Sequence, residues 1–299
     1  MLNFIFPHYT NRRFLMTTVA RGLRSHATLR NRFVAENWRA YGKYRSVHFA
    51  CNVCGERSTP FFDFPDLKLR REHHIGILRE TLQCRHCGAT MRHRTLAAML
   101  LRSLTEKTGR TSSSLQALTA TGLGGLNILD TDAFSPNSKL LRQVPGYVVS
   151  SFIPEKQFDM EIAPGHFNVN LENMGFASER FDLVLTSDVM EHVRGVDAAH
   201  HEIARILKPH GRYIFTVPYD ASVNSHVTLV DTSGPQDIFL MPPHYHGDPL
   251  TGGILAYRIF GRQIFQDLAA CGLRAEFSFV DEPTALIEQG DAFVAEKLA

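Results

Sequence analysis

The sequence predicts an α/β protein, a doubly wound, Rossmann-like parallel sheet preceded by a small zinc-ribbon-like module. Two observations set the larger unit. Phe181 to Leu185 is an apolar run with no helical period that ends in the polar tip Thr186-Ser187-Asp188, as suits a strand covered on both faces. Val196, Ala199, Ile203, Ile206 and Leu207 then recur at helical spacing, and after Lys208-Pro209-His210-Gly211 a second run, Arg212 to Val217, ends at Pro218. Strand, helix and strand at this separation close as a right-handed parallel crossover, and such sheets place ligands beyond the carboxyl ends of their strands. A third observation sets the smaller unit: two Cys-x-x-Cys-Gly pairs, Cys51/Cys54 and Cys84/Cys87.

The chain has 299 residues, 44% of them hydrophobic, enough for a substantial core. Its apolar runs, such as Leu96 to Leu101, are far too short to span a bilayer, so no integral membrane segment is expected. The net charge of +2 hides an asymmetry. Residues 1–110 hold 20 Lys and Arg against 7 Asp and Glu, while residues 111–299 hold 12 against 23. Two units with different surroundings account for this; the basic part could meet a phosphate-bearing partner or dock on the acidic part.

Residues 1–45 read as a basic helix or arm: the first 35 contain six arginines and no Asp or Glu. An organelle-targeting segment would share that composition, whereas the absence of a long apolar stretch argues against a secretory signal and for the cytoplasm.

Residues 46–104 read as the zinc-binding module with an exit helix. Each cysteine pair puts two sulfurs on one turn, and the glycine that follows allows the positive φ such a turn needs. Four thiolates, from Cys51, Cys54, Cys84 and Cys87, form a closed tetrahedral shell for a structural zinc ion. Disulfides would need an oxidising compartment. Met91 to Leu104 reads as the exit helix, with Leu96, Met99, Leu100 and Leu104 along one side. The Ser/Thr-rich stretch 105–121 reads as a linker, and 122–299 as the second domain.

In that domain Leu126 to Asp130 is the expected first strand, followed by Ser135-Pro136 as N-cap and first helical residue. Tyr147 to Ser150 and Phe167 to Asn170 follow as strands, and a helix at Gln263 to Ala270 precedes two closing strands, Leu273 to Val280 and Ala292 to Lys297. Between Pro218 and Phe260 lies a long insertion rich in His, Pro and Gly, of a length that usually carries function.

The strings FDLVLTSDVMEHV and HEIARILKPHGRYIFTVP resemble the region around the fourth and fifth strands of class I S-adenosylmethionine (SAM)-dependent methyltransferases. The Tyr-His-Gly-Asp-Pro sequence from Tyr245 resembles a subgroup that carries an N-terminal zinc-binding module. This resemblance implies a seven-stranded methyltransferase sheet with SAM as cofactor. It assigns cofactor contacts to Asp130, Asp132, Ser151, Asn170, Leu171, Ser187 and Asp188. The chain departs from the family pattern in two places: no glycine stands in Thr131 to Phe134, and Ser150-Ser151 replaces the carboxylate that usually takes the ribose hydroxyls.

The implied activity is methyl transfer to an unidentified acceptor, with a glycan or small-molecule hydroxyl leading. His244, His246 and His192 are the candidate bases, in that order, because histidine suits proton removal at neutral pH. Two other readings stay open: a non-catalytic binding module built on the methyltransferase fold, and an RNA methyltransferase that grips nucleic acid with its basic module.

Overall fold

The computed structural model describes residues 41–62, 78–246 and 253–299. All but the last residues of the expected basic arm therefore lie outside the described residues, as do Gly247 and Asp248 of the insertion.

Two short antiparallel ribbons build the first unit: β1 (Phe49–Ala50) with β2 (Arg57–Ser58), and β3 (Pro60–Phe62) with β4 (Leu82–Cys84). The four-residue helix α1 (Leu78–Thr81) leads into β4, and helix α2 (Met91–Thr108) leaves the second ribbon. Thr90 caps α2 in a capping box with His93, which satisfies the otherwise orphaned first-turn N–H groups, and Gly109 ends the helix in the left-handed region at φ 69°. Residues 105–121, expected as a linker, hold the last turn of α2 and helix α3 (Leu115–Ala120).

The large sheet contains β5 (Asn127–Asp130), β6 (Gly146–Ser151), β7 (Met160–Ala163), β8 (His166–Asn168), β9 (Phe181–Ser187), β10 (Leu207–Thr216), β17 (Leu273–Glu282) and β18 (Ile287–Lys297). Helix α4 (Pro136–Leu141) follows β5 with Ser135 as its cap, as expected, and α5 (Val196–Ile206) joins β9 to β10. Strand order is β17-β18-β10-β9-β5-β6-β8-β7. The strands from β8 through β10 run parallel, and β18 is inserted antiparallel between β10 and β17. Eight strands stand where seven were expected, because β7 adds an antiparallel edge to β8 across a turn at Gly165, φ 68°. Met160 and Glu161 are exposed, so no apolar alternation marks that strand in the sequence.

Alternate residues of each central strand point to opposite faces, and both faces are covered. Leu129, Val184, Phe215 and Phe293 pack against Ile203 of α5 and Leu268 of helix α6 (Ile264–Ala270). Ile128, Leu183, Leu185 and Ile214 pack against Leu100 and Leu104 of α2, Leu118 of α3 and Leu141 of α4. The exit helix of the cysteine module is thus one of the layers that cover the sheet.

Between β10 and α6 the insertion folds as three small antiparallel pairs. These are β11 (Val227–Thr228) with β16 (Arg258–Ile259), β12 (Val230–Asp231) with β13 (Ile238–Phe239), and β14 (Tyr245–His246) with β15 (Ile254–Leu255). Among the described residues no helix is long and apolar enough to cross a membrane.

Candidate active site

The chain runs outward from β5 to β6 and β8, then returns to β9 on the other side of β5, which makes the β5/β9 boundary the switch point of the sheet. Asp130 ends β5 and Ser187-Asp188 ends β9. Asp130 is buried and accepts a hydrogen bond from Asp132 N at 2.9 Å, and the Tyr147 hydroxyl lies 3.0 Å from its Oδ2. Burial, with the neighbouring Asp132 carboxylate adding to it, pushes the Asp130 carboxyl up to about 7.

Asp188 is held in a left-handed backbone conformation, φ 51°, by bonds from its N–H to Thr216 O at 3.0 Å and Thr216 Oγ1 at 3.2 Å. Its carboxylate receives Arg79 on both oxygens, at 2.6 and 2.9 Å, and Thr216 Oγ1 at 2.7 Å. Burial alone would raise Asp188, but Arg79 and Arg92 outweigh it and hold the carboxyl well below the usual range. Arg92, from the first turn of α2, bonds to Ser187 Oγ, pairs with Glu80 at 2.9 Å and stands 3.9 Å from Asp132. Burial also opposes the charge on Asp132, yet His93 and Arg92 keep that carboxyl low.

Farther along the edge, Ser151 Oγ lies 2.8 Å from His166 Nε2. Asn170 Oδ1 accepts from Glu172 N at 3.0 Å, and Leu171 is buried beside it. The neighbouring Asn168 is spent on the structure, its side chain bonding to four backbone groups between Ile153 and Gln157. Phe134, after β5, and Phe152, after β6, are half exposed.

Beyond Asp188 a short 3-10 turn, Met190–His192, carries Glu191 and His192. The insertion is fastened to this turn by Tyr257 N donating to Glu191 O at 2.8 Å and by Arg258, whose guanidinium donates to Met190 O and Val193 O at 3.2 and 2.6 Å. That docking brings His246 Nδ1 to 3.1 Å from His192 Nε2, both rings flanking the Glu191 carboxyl. The His244 ring stands 5.0 Å from that of His246. All three sequence-predicted histidines therefore share one neighbourhood, next to the tip of β9. Burial lowers the His192 pKa, which keeps its ring neutral.

Cys51, Cys54, Cys84 and Cys87 also converge, with all four sulfurs within 4.8 Å of one another. Cys51 and Cys87 are 3.8 Å apart, as are Cys54 and Cys84. A tetrahedron of roughly 2.3 Å zinc–sulfur bonds has edges of about 3.8 Å. Gly55 and Gly88 adopt φ 80° and 73° and donate back to Cys51 O and Cys84 O, so each turn closes as its sequence predicts. Buried Arg94 donates to Leu82 O, Ala89 O and Leu286 O, and its cation lies within range of the cysteine cluster.

Three polar residues at the site had no place among the predicted ones: Arg79, Glu80 and Arg92. For the arginines the available signal was the excess of basic residues before position 110 and of acidic ones after it.

Residues 148–215 match the family model described as a methyltransferase domain. No curated protein matches the chain. Among solved structures, the chain is similar to a SAM-dependent methyltransferase from Mesorhizobium loti, at 14% identity over 60% of this chain and 96% of that one, TM-score 0.38. It is also similar to the sugar N-methyltransferase KedS8 from Streptoalloteichus, at 13% identity over 69% and 87%, TM-score 0.42. The strand order, with its inserted antiparallel β18, and the domain match define a methyltransferase built on the doubly wound sheet. Residues 148–215 thus carry a methyltransferase domain, and the sheet around them has the doubly wound strand order that domain requires.

The chemistry of the groups at the strand tips is compatible with the methionine part of SAM. A zwitterion bearing an extra sulfonium charge needs both signs of partner, and the β5 and β9 tips offer Asp132, Asp188 and Arg92 within one cluster. Farther along the strand ends, the groups presented are the neutral Ser151, His166 and Asn170 and the apolar faces of Phe134 and Phe152.

Proposed function

We propose that this methyltransferase acts on a hydroxyl group of a small molecule or glycan, and that His192 and His246, with His244 at the rim, handle the proton of that hydroxyl. The observation that carries the reading is the imidazole pair, 3.1 Å apart, standing beyond the tip of β9 against the buried Glu191. Bound SAM supplies an electrophilic methyl group on a positively charged sulfur. Asp130, Asp132, Ser187 and Asp188 hold its methionine end, and Ser151, Asn170 and Leu171 its nucleoside end. A hydroxyl must shed its proton as it is alkylated, and a neutral imidazole in hydrogen-bond reach accepts it. His192 is suited to this because burial keeps it neutral and Leu255 O, 2.8 Å from Nδ1, takes the ring N–H, so that Nε2 is the unprotonated nitrogen, which an acceptor hydroxyl reaches by displacing the contact from His246 Nδ1.

The four cysteines hold a structural zinc ion in this reading. A closed thiolate shell leaves no position for a substrate, and the cation of Arg94 offsets part of the excess negative charge of such a centre. Four thiols kept for a metal suit a reducing compartment such as the cytoplasm.

Calorimetry with SAM, followed by measurement of S-adenosylhomocysteine formed with sugars, phenols, amines and RNA, tests the reading. Turnover with hydroxylated acceptors is expected. Turnover confined to amines or RNA would remove the hydroxyl assignment, and no heat with either SAM or its product would favour a binding module.

A further inference from the structure

We infer that Glu191, His192 and His246 form a binding site for a divalent transition-metal ion on the acceptor side of the methyl-transfer site. This deepens the proposed hydroxyl chemistry and rests on it: the ion meets the acceptor oxygen, so the two imidazoles act on the hydroxyl proton through the ion that they hold rather than by accepting it themselves.

Three geometric facts lead there. First, the donor atoms form a small triangle. His246 Nδ1 is 3.1 Å from His192 Nε2, and these nitrogens are 3.6 and 3.7 Å from Glu191 Oε1. Ligands about 2.1 Å from one ion stand roughly 3.0–3.4 Å apart in octahedral or tetrahedral arrangements, so a small contraction would seat an ion among them. Second, Glu191 is fully buried and neither of its carboxyl oxygens has a hydrogen-bond partner. Burying a carboxyl without hydrogen bonds is costly, and a cation between it and the rings offsets that cost. Third, His192 already has the outer-sphere arrangement of a metal ligand. Its Nδ1 faces Leu255 O at 2.8 Å, which fixes the tautomer and leaves Nε2, one corner of the triangle, as the unprotonated nitrogen.

The site is built by two segments that meet only in the fold. Glu191 and His192 come from the 3-10 turn after β9, and His246 from β14, whose partner strand β15 supplies the carbonyl that orients His192. Asp188 lies nearby, but its carboxylate is taken by Arg79 and Thr216, so the protein offers three ligands and leaves the remaining positions open. Two imidazoles and one carboxyl favour manganese, iron, cobalt or zinc over magnesium or calcium. An acceptor hydroxyl in an open position is polarised and acidified by the ion. Its proton leaves to solvent as the oxygen–carbon bond forms and the carbon–sulfur bond breaks, with the electron pair staying on sulfur.

The test uses the full chain with its cysteine centre loaded with zinc, chelator-washed under conditions that leave that zinc in place. Mn2+ is the probe, because a four-thiolate centre disfavours it and its electron paramagnetic resonance signal counts free ion directly. One equivalent of Mn2+ should bind, and binding should be lost in Glu191→Gln and in His246→Ala, each checked for a retained melting transition. If His246→Ala fails to fold, His192→Gln takes its place in the comparison. No uptake of Mn2+ by the wild type, or uptake undiminished in the folded variants, overturns the site. Methyl transfer at full rate by metal-stripped protein overturns its role while leaving the hydroxyl reading intact. Stoichiometric Mn2+ binding with no SAM-dependent transfer to any hydroxyl removes that reading and leaves the site standing.

Discussion

Arg79 grips Asp188 with both ends of its guanidinium, Nη1 2.6 Å from Oδ2 and Nη2 2.9 Å from Oδ1, across 109 residues of sequence. Arg79 is 2% exposed and Asp188 14%. Breaking a buried pair leaves an uncompensated charge, so Arg79→Met should cost about 3–5 kcal/mol in urea denaturation. Adding Asp188→Asn to it should recover part of the loss. Strictly additive losses in the double variant would show that the two residues do not act as a pair.

A second prediction concerns Asp130. Its folded pKa, about 7, lies above its ordinary value of 3.8, so between those values the folded state holds a proton that the unfolded chain has released. Stability from this group is therefore greatest at acid pH and falls as pH rises from about 4 towards 7. Asp130→Asn keeps the shape and removes the titration. Its melting temperature should fall less between pH 5 and pH 8 than that of the wild type, and an unchanged difference would count against a buried, proton-holding Asp130.

The cysteine centre makes a third. One zinc per chain should be released by a thiol-blocking mercurial, and Cys84→Ser should lower both the zinc content and the melting temperature. Because Cys51, Cys54 and Cys84 share a small core with Phe49 and Leu82, loss of the ion should also raise proteolytic cutting around residues 46–62. Full stability in zinc-free protein would show the sulfurs to be ordinary buried thiols.

The fourth prediction follows from His192. Burial lowers its pKa below the usual 6.5, and it works in the neutral form, so the acid limb of the kcat profile should fall below pH 6.5. His192→Ala should reduce kcat by roughly 10²–10⁴-fold, the range for removing a positioned proton acceptor, with SAM affinity little changed. A loss confined to SAM binding would make the residue a cofactor contact instead.

Much of the parallel sheet could be read from the sequence, since strands covered on both faces are apolar without interruption, and β5 and β9 are each followed by a helix with its own signals. Ser135 caps α4 and the α5 stripe faces the core as its spacing requires. Edge elements were less legible. β7 carries exposed residues, and the paired strands of the insertion are two residues long, too short for any period. The three histidines could be singled out by residue type, but that β14 sets His246 against His192 depends on tertiary docking. Glu191 stands beside His192 in the sequence; that its carboxyl is buried without a hydrogen-bond partner depends on the insertion docked on its turn. Arg79 and Arg92 left a trace only in the charge imbalance between the two parts of the chain, and their bonds to Asp188 and Ser187 answer where part of that basic excess goes.

Helix α2 has a consequence for the order in which the protein is made. It leaves the ribosome early, yet it packs against β18 and β10, and Arg94 beside the cysteines reaches Leu286 O at 3.1 Å across 192 residues. Until β18 has been synthesised, part of its apolar face lacks the strand that it covers. Contacts of such long sequence separation slow folding and prolong the exposure of apolar surface. A nascent chain should therefore pass through a stage in which the cysteine turns are formed and part of α2 remains unburied, and chaperone dependence in the cell would originate there.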